Sequence, residues 1–253
     1  MKIISTILAI VLIIAGCKKN EVKYGDFKKF DSTKSLLKVN YTSSYSINYP
    51  VIFKLNQQPI SGIVTARYPY PGGGYNTAGL STPDYLQVEP GTYEFSAATP
   101  QVGTTIDSVN RYKTNLTFES GKRYSLHIAD TATNTKHVLI EDDFSRPDTS
   151  SARYRVINLI PNAPSIDLYN GTELVASNIK YLEISNYFVL TTTGGSSVWN
   201  VRETGTGPTG TVLATYNSTS TKLSQRSYTA FAMGYKGQTV ATRRPYIAFF
   251  LVR

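Results

Sequence analysis

The sequence predicts an all-β protein, on three observations. Tyr is abundant, at 19 of 253 residues, and it accompanies many Thr, Ser and Val, residues that suit half-buried pleated surfaces better than helices. Short alternating or β-branched runs recur along the whole chain between Gly-, Pro- and Asn-rich turns. Finally, a single cysteine leaves no internal disulfide, so the strands must be held by packed apolar faces. A charged fraction of 17% beside 41% hydrophobic residues excludes a disordered polymer. The same lone cysteine excludes a disulfide-stapled miniprotein and a cysteine-ligated metal cluster.

The N-terminus gives an address. Lys2 is followed by residues 3–16 without a charge, short of the ~20 residues of a spanning helix, so residues 1–16 read as a secretory signal peptide outside the fold. The only cysteine stands directly behind it. Ile14-Ala15-Gly16-Cys17 resembles the bacterial lipobox, which implies that Cys17 becomes the acylated first residue of the mature chain. Each buried methylene contributes ~0.8 kcal/mol, so two or three acyl chains anchor a protein permanently. The expected location is the cell envelope, lipid-anchored at the outer membrane, with the periplasmic and outward faces both open. Residues 17–34 form a polar tether carrying Lys18, Lys19, Lys23, Lys28 and Lys29. These lie against anionic headgroups or remain solvated, and the sequence favours neither. Export and the scatter of the other positive charges argue against a nucleic-acid partner.

Strand-like runs begin at residue 35. In a first domain, 35–143, they fall at 36–41, 51–55, 60–68, 85–88, 92–97, 114–118, 123–129 and 137–141. The acidic, then Pro- and Ser-rich stretch that follows cannot continue a central strand, so residues 144–152 read as a hydrated linker. A second domain, 153–253, restarts with runs at 154–160, 165–169, 173–176, 187–190, 197–203, 211–216, 227–233 and 246–252. Spacing and domain size, near the ~100 residues of an immunoglobulin-like sandwich, predict two tandem antiparallel β-sandwiches.

The halves also resemble each other in order. Residues 49–56 parallel 163–170, residues 83–86 parallel 185–188, and residues 121–126 parallel 224–229. The second half further resembles the family known as domain of unknown function 4397. The resemblance is carried by Arg155-Val156-Ile157-Asn158-Leu159-Ile160-Pro161-Asn162-Ala163-Pro164 with Ser165-Ile166-Asp167-Leu168-Tyr169, by Leu174-Val175-Ala176-Ser177-Asn178-Ile179, by Val212-Leu213-Ala214, and by the close Tyr228-Thr229-Ala230-Phe231-Ala232-Met233-Gly234. It covers 153 to about 235 well and 35–143 weakly. It implies a secreted or lipid-anchored β-sandwich of the cell envelope with a binding or adhesive role, and it supplies no catalytic residue.

The residues themselves offer little catalytic chemistry. There are two histidines, and strand alternation places His127 opposite Tyr124, Leu126 and Ile128, on a solvated face. His137 opens a strand. No Gly-x-Ser-x-Gly elbow, His-Glu-x-x-His or phosphate loop occurs, so neither an enzyme nor a cofactor is expected. Asp130, Glu141, Asp142, Asp143 and Asp148 lack the spacing of a calcium loop and read as hydrated charge. The candidate ligand-binding residues are Tyr68, Tyr70 and Tyr75, on the Gly/Pro-rich stretch 67–76, where aromatic faces suit a glycan or a partner protein. Trp199 reads as a core residue. Tyr246-Ile247-Ala248-Phe249-Phe250-Leu251-Val252 is apolar on both alternating faces, which interdomain packing explains better than an exposed partner surface. The expected function is a binding or adhesion module. The alternative is a stalk or fimbria-like subunit that assembles through its β edges, and the oligomeric state stays open.

Overall fold

A computed structural model describes residues 31–65, 75–76 and 85–253, with only the backbone of 75–76. The described part of the first half contains β1 (Ser35–Tyr41), β2 (Ile52–Leu55), β3 (Gln58–Pro59), β4 (Tyr75–Asn76), β5 (Leu86–Val88), β6 (Gly91–Pro100), β7 (Asp107–Phe118), β8 (Arg123–Ala129) and β9 (Lys136–Glu141). The second contains β10 (Ser151–Leu159), β11 (Ser165–Asn170), β12 (Glu173–Lys180), β13 (Phe188–Thr191), β14 (Val198–Glu203), β15 (Val212–Asn217), β16 (Ser227–Met233) and β17 (Tyr246–Leu251). Each half is a sandwich of two sheets.

One sheet of the first sandwich runs β4-β1-β8-β9, with β5 beside the start of β1, and the other runs β3-β2-β6-β7. The second sandwich repeats the plan as β13-β10-β16-β17 and β12-β11-β14-β15. Pairing is antiparallel except for β1 with β8 and β10 with β16. Those parallel pairs join the first long strand of each half to its penultimate one, so most of the domain serves as their crossover. The expected run at 60–68 is not a strand where it is described: Val64 makes a single bridge to Val51, and 66–68 lie outside the described residues. Conversely, β7 begins well before the expected 114.

The registers place the repeats more finely than the sequence does. Leu86 pairs with Leu37, as Phe188 pairs with Tyr154, so Tyr85 and Tyr187 are equivalent, as the sequence parallel has it. The other two parallels slip by one residue. Leu37 pairs with Tyr124 and Tyr154 with Tyr228, which makes Tyr124 the counterpart of Tyr228 rather than of Ser227. Likewise the core residue Phe53 corresponds to the core residue Leu168 and not to Asp167. Because the side-chain period of a strand is two, a one-residue slip exchanges core and outer faces.

Both sandwiches lie within one compact unit, Ser32–Arg253. The first core gathers Leu37, Val39, Phe53, Phe95, Leu126 and Ile128 between its two sheets. The second gathers Tyr154, Val156, Leu168, Val201, Tyr228 and Phe249 around Trp199, whose Nε1 donates to Thr221 Oγ1 at 3.0 Å. A third cluster joins the halves: Ala129 and Ile140 from the first pack against Ile157, Leu159, Phe231, Met233, Ala248 and Phe250 of the second. The four sheets therefore stack as layers, with the β1-β8-β9 and β10-β16-β17 sheets back to back. This explains the two apolar faces of β17: Phe249 packs into its own sandwich and Phe250 into the seam.

Phe249→Ala and Phe250→Ala are therefore expected to cost comparable stability, ~3–5 kcal/mol each. Urea denaturation of the full chain checks this. A loss confined to Phe249→Ala would show that the outer face of β17 is solvated.

Candidate functional site

Two places in the described structure concentrate polar chemistry: the seam between the sandwiches, and one end of the first sandwich.

The seam has an approximate twofold symmetry. Lys38 on β1 and its counterpart Arg155 on β10 are both buried. Lys38 Nζ donates to the carbonyl of Leu251 and lies 4.1 Å from the Tyr85 ring centre. Arg155 Nη1 donates to the carbonyl of Glu141 at 3.2 Å, and its guanidinium carbon lies 5.0 Å from the Tyr187 ring centre. Glu141 and Leu251 are themselves counterparts, paired with Tyr124 and Tyr228 at the ends of β9 and β17. Each buried cation thus meets the end of the other half's last strand and the same aromatic position of its own half.

Asp142 breaks this symmetry, for its counterpart is Val252. Its side chain is fully buried and pairs with Arg155 Nη2, while its other oxygen accepts from Ser125 Oγ at 2.6 Å and Tyr85 Oη at 2.7 Å. Burial pushes its carboxyl above the ordinary value, and Arg155, Ser125 and Tyr85 pull it back. Burial, aided by the Asp142 charge, also holds the Tyr85 phenol well above its ordinary range. The expectation of a hydrated acidic stretch is thus corrected at Asp142. The neighbouring carboxylates diverge: Glu141 pairs with Lys122, Asp143 with Arg153, and Asp130 accepts from Tyr235 Oη at 2.7 Å. Among the described residues no three acidic, His or Cys side chains converge as metal ligands.

His127 corrects a second expectation. Alternation does send it away from its own core, but the face it reaches is covered by the other sandwich, and its exposure is 0%. Its ring sits 5.6 Å from Phe250 and 6.1 Å from Phe231, with Nδ1 3.0 Å from Asn40 Nδ2. Its Nε2 and Asn40 Oδ1 have no partner among the described residues. Burial first, then the charges of Arg155 and Lys38, lower its pKa to about 3. A ring enclosed in this way holds the seam and meets no substrate. His137, half-buried, stands 2.5 Å from Tyr112 Oη through Nδ1, and burial lowers its pKa as well.

The second place is exposed. In the β6-β7 hairpin, Ala97 pairs with Tyr112 and Ala98 with Asn110, leaving Arg111 as the extra residue of a β-bulge. Bulges re-aim side chains. Here the guanidinium lands 3.7 Å from the Tyr49 ring centre and 5.6 Å from Tyr45, with Nε donating to Thr99 Oγ1 at 2.9 Å. Tyr45 and Tyr49 meet edge to face at 5.5 Å. Their loop is fastened twice: Ala132 N donates to Tyr45 Oη at 2.9 Å, and Thr242 Oγ1 donates to Ser46 O at 3.2 Å. Ile47, between the two tyrosines in sequence, is 62% exposed. Exposed Val102, Ile106 and Val109 lie on the hairpin that carries Arg111.

Of the sequence-derived site residues, Ile14, Ala15, Gly16, Cys17, Tyr68 and Tyr70 lie outside the described residues. Tyr75 is in β4, whose backbone pairs with Asn40 and Tyr41 at the end of β1, where the Tyr45–Tyr49 loop departs. Sequence reasoning missed Tyr45, Tyr49 and Arg111. The available signal was the loss of alternation over 109–112, where the bulge sits.

Fold and seam together define a tandem β-sandwich protein built from two copies of one plan. The chain belongs to the family described as Domain of unknown function (DUF4397), whose model matches residues 75–169 and 152–243. The first match begins at β4 and crosses the linker into β11, and the second runs from β10 into the β16-β17 loop. A search of the curated proteins returned no match. Among solved structures, a family 26 carbohydrate-binding module from Eubacterium rectale, in complex with maltoheptaose, is 13% identical over 85% of this chain and 96% of its own, with a TM-score of 0.24. A candidate cell adhesion protein from Bacteroides uniformis is 9% identical over 88% and 98%, also at a TM-score of 0.24. Family 41 modules of streptococcal virulence factors, which recognise alpha-glucan, are 8% identical over 85% and 96%, again at a TM-score of 0.24. Similarity at that level carries no property over to this chain.

The seam makes a pH prediction. His127 titrates at about 3 when folded and near ~6.5 when unfolded. Below about pH 6.5 the unfolded chain therefore binds a proton that the folded chain refuses, and stability present above that pH is lost as pH falls towards 3. His127→Gln should shrink the stability difference between pH 7 and pH 4 by several kcal/mol. An unchanged difference in denaturant titrations at both pH values would place His127 in contact with water.

Proposed function

We propose that this chain is a non-enzymatic binding module of the cell envelope, anchored through acylated Cys17 after cleavage behind Ile14-Ala15-Gly16. The tether of residues 17–34 carries two sandwiches, 35–143 and 153–253, joined through 144–152, and the ligand is a glycan. One observation supports this above the rest: the bulge that stacks Arg111 on Tyr49 beside Tyr45. Ring faces cover the apolar side of a sugar, while guanidinium and exposed Asn48 offer donors to its hydroxyls. Both fastenings of the loop reduce the ordering cost of binding. The backbone of Tyr75 in β4 returns beside the start of that loop.

The assembly-subunit reading loses the apolar last strand as a docking face, because the second apolar face of β17 packs within the chain, and rests on the β edges alone. Two measurements test the proposal. On a glycan array followed by calorimetry, the delipidated chain should retain a carbohydrate, and Tyr49→Ala should weaken it about tenfold or more, ~1.4 kcal/mol, with an unchanged melting temperature. Capture of an envelope protein and of no carbohydrate would replace the glycan. Labelled palmitate should enter the chain in cells and be lost in Cys17→Ser; unlabelled wild type would remove the anchor.

A further inference from the structure

Edge strands expose a row of unpaired backbone groups, and proteins guard them with charge, proline, bulges or brevity. In this chain β3 ends in Pro59 and β5 has three residues. Strand β7 carries Arg111, Lys113 and two register breaks. Strand β9 begins with Lys136 and ends with Glu141, and β12 begins with Glu173 and ends with Lys180. Strand β13 has four residues, and β17 is buried over four of its six. Strand β15, Val-Leu-Ala-Thr-Tyr-Asn, has six residues, no charge and no proline, and it ends its sheet; its one register break lies at Leu213 and leaves 214–217 in regular pairing with β14.

Its outer edge is also furnished. A groove of about 400 Å³ runs along Leu213, Ala214 and Thr215, with a far wall formed by Gln238, Arg244 and Tyr246 from the β16-β17 loop and the start of β17. The direction of the backbone follows from one bond. Ser218 N donates to Ser197 O across the β14-β15 pair, so by alternation residues 214 and 216 also face β14, while Thr215 turns its N–H and C=O into the groove. At the loop end Arg244 is exposed, stacked 4.8 Å from the Tyr246 ring, with Nε donating to Tyr246 Oη at 2.7 Å. No carboxylate among the described residues pairs with it.

We infer that this groove is a strand-addition site for an extended peptide segment of a partner protein, with a carboxylate placed against Arg244. Backbone bonds to Thr215 supply affinity, the groove takes alternate side chains, and Arg244 fixes polarity, the usual division of labour in strand addition. The volume holds three or four residues, at roughly 100–150 Å³ per residue packed at protein density. The site is independent of the Tyr49 platform and stands if that platform binds nothing.

The test uses the full mature chain and an acetylated, fluorescein-labelled peptide, Thr-Val-Thr-Val-Thr-Asp, followed by polarisation. Binding is expected, together with about tenfold or greater loss for a copy N-methylated in its middle residues, which keeps the side chains and removes strand bonds. Thr215→Pro should abolish binding while sparing the β14 ladder, because the lost N–H faces the groove. Thr215→Val should bind within twofold. Arg244→Gln should weaken binding several-fold and remove its salt dependence, which serves as the test if Thr215→Pro fails to fold. Equal binding of the N-methylated peptide, or no binding of the parent, overturns the inference. Concentration-dependent dimers abolished by Thr215→Pro would assign the edge to a second copy and overturn it equally.

Discussion

The structure depends on one constraint: two sheets, each carrying a cation on its outer face, cover those faces with each other. Burying Lys38 or Arg155 alone would cost several kcal/mol in desolvation. Back-to-back packing about a twofold solves both cases with one arrangement, since the carbonyl ending each last strand lies over the first strand of the other half. An aromatic ring, Tyr85 or Tyr187, then closes over each cation. The interface is of the isologous type found in symmetric dimers, built here within one chain.

Divergence between the copies makes that pairing specific. His127 faces the aromatic pair Phe231 and Phe250, whereas two copies of the first half would set His127 against His127. Arg155 finds Asp142, whereas two copies of the second half would offer Val252 and leave a buried guanidinium without a counterion. Each half therefore complements the other better than itself, a discrimination made partly by penalties in the wrong pairs. Asp142 also shows why this matters more than raw stability. A buried ion pair adds little over an apolar pair of the same shape, but losing either partner is costly.

How far the sequence was legible follows from what alternation encodes. It gave the all-β class, most strands and the repeat order, because turn residues and period-two patterns are local. It also placed His127 on the correct side of β8, and failed only on what covers that side, which is a property of the tertiary fold. The slipped correspondences at Phe53 and Tyr124 arose the same way: similar strings aligned by identity ignore which face each residue takes. The start of β7 was lost at residues 107–113, where two bulges break the period, and with it went Arg111. The same local irregularity hid the strand and aimed its most informative side chain.

Seam and surface meet in the β16-β17 loop. Its neck closes at Gly234, whose φ of +95° suits glycine and where a Cβ would collide with the Arg244 carbonyl, which gives a physical reason for the glycine in the family-like Tyr-Thr close. On one side Tyr235 reaches Asp130 across the seam and Thr242 holds Ser46 of the Tyr45–Tyr49 loop. On the other, Gln238 and Arg244 wall the β15 groove. A ligand that shifts this loop from the groove side acts on Ser46 through Thr242, and thermodynamic reciprocity gives a ligand on the tyrosines the same leverage on the groove. The size of that leverage is set by how differently the loop's arrangements bind each ligand, and a loop held at Gly234, Tyr235 and Thr242 has few arrangements to offer. The geometry thus favours two nearly independent surfaces on one rigid support, with the seam providing the rigidity.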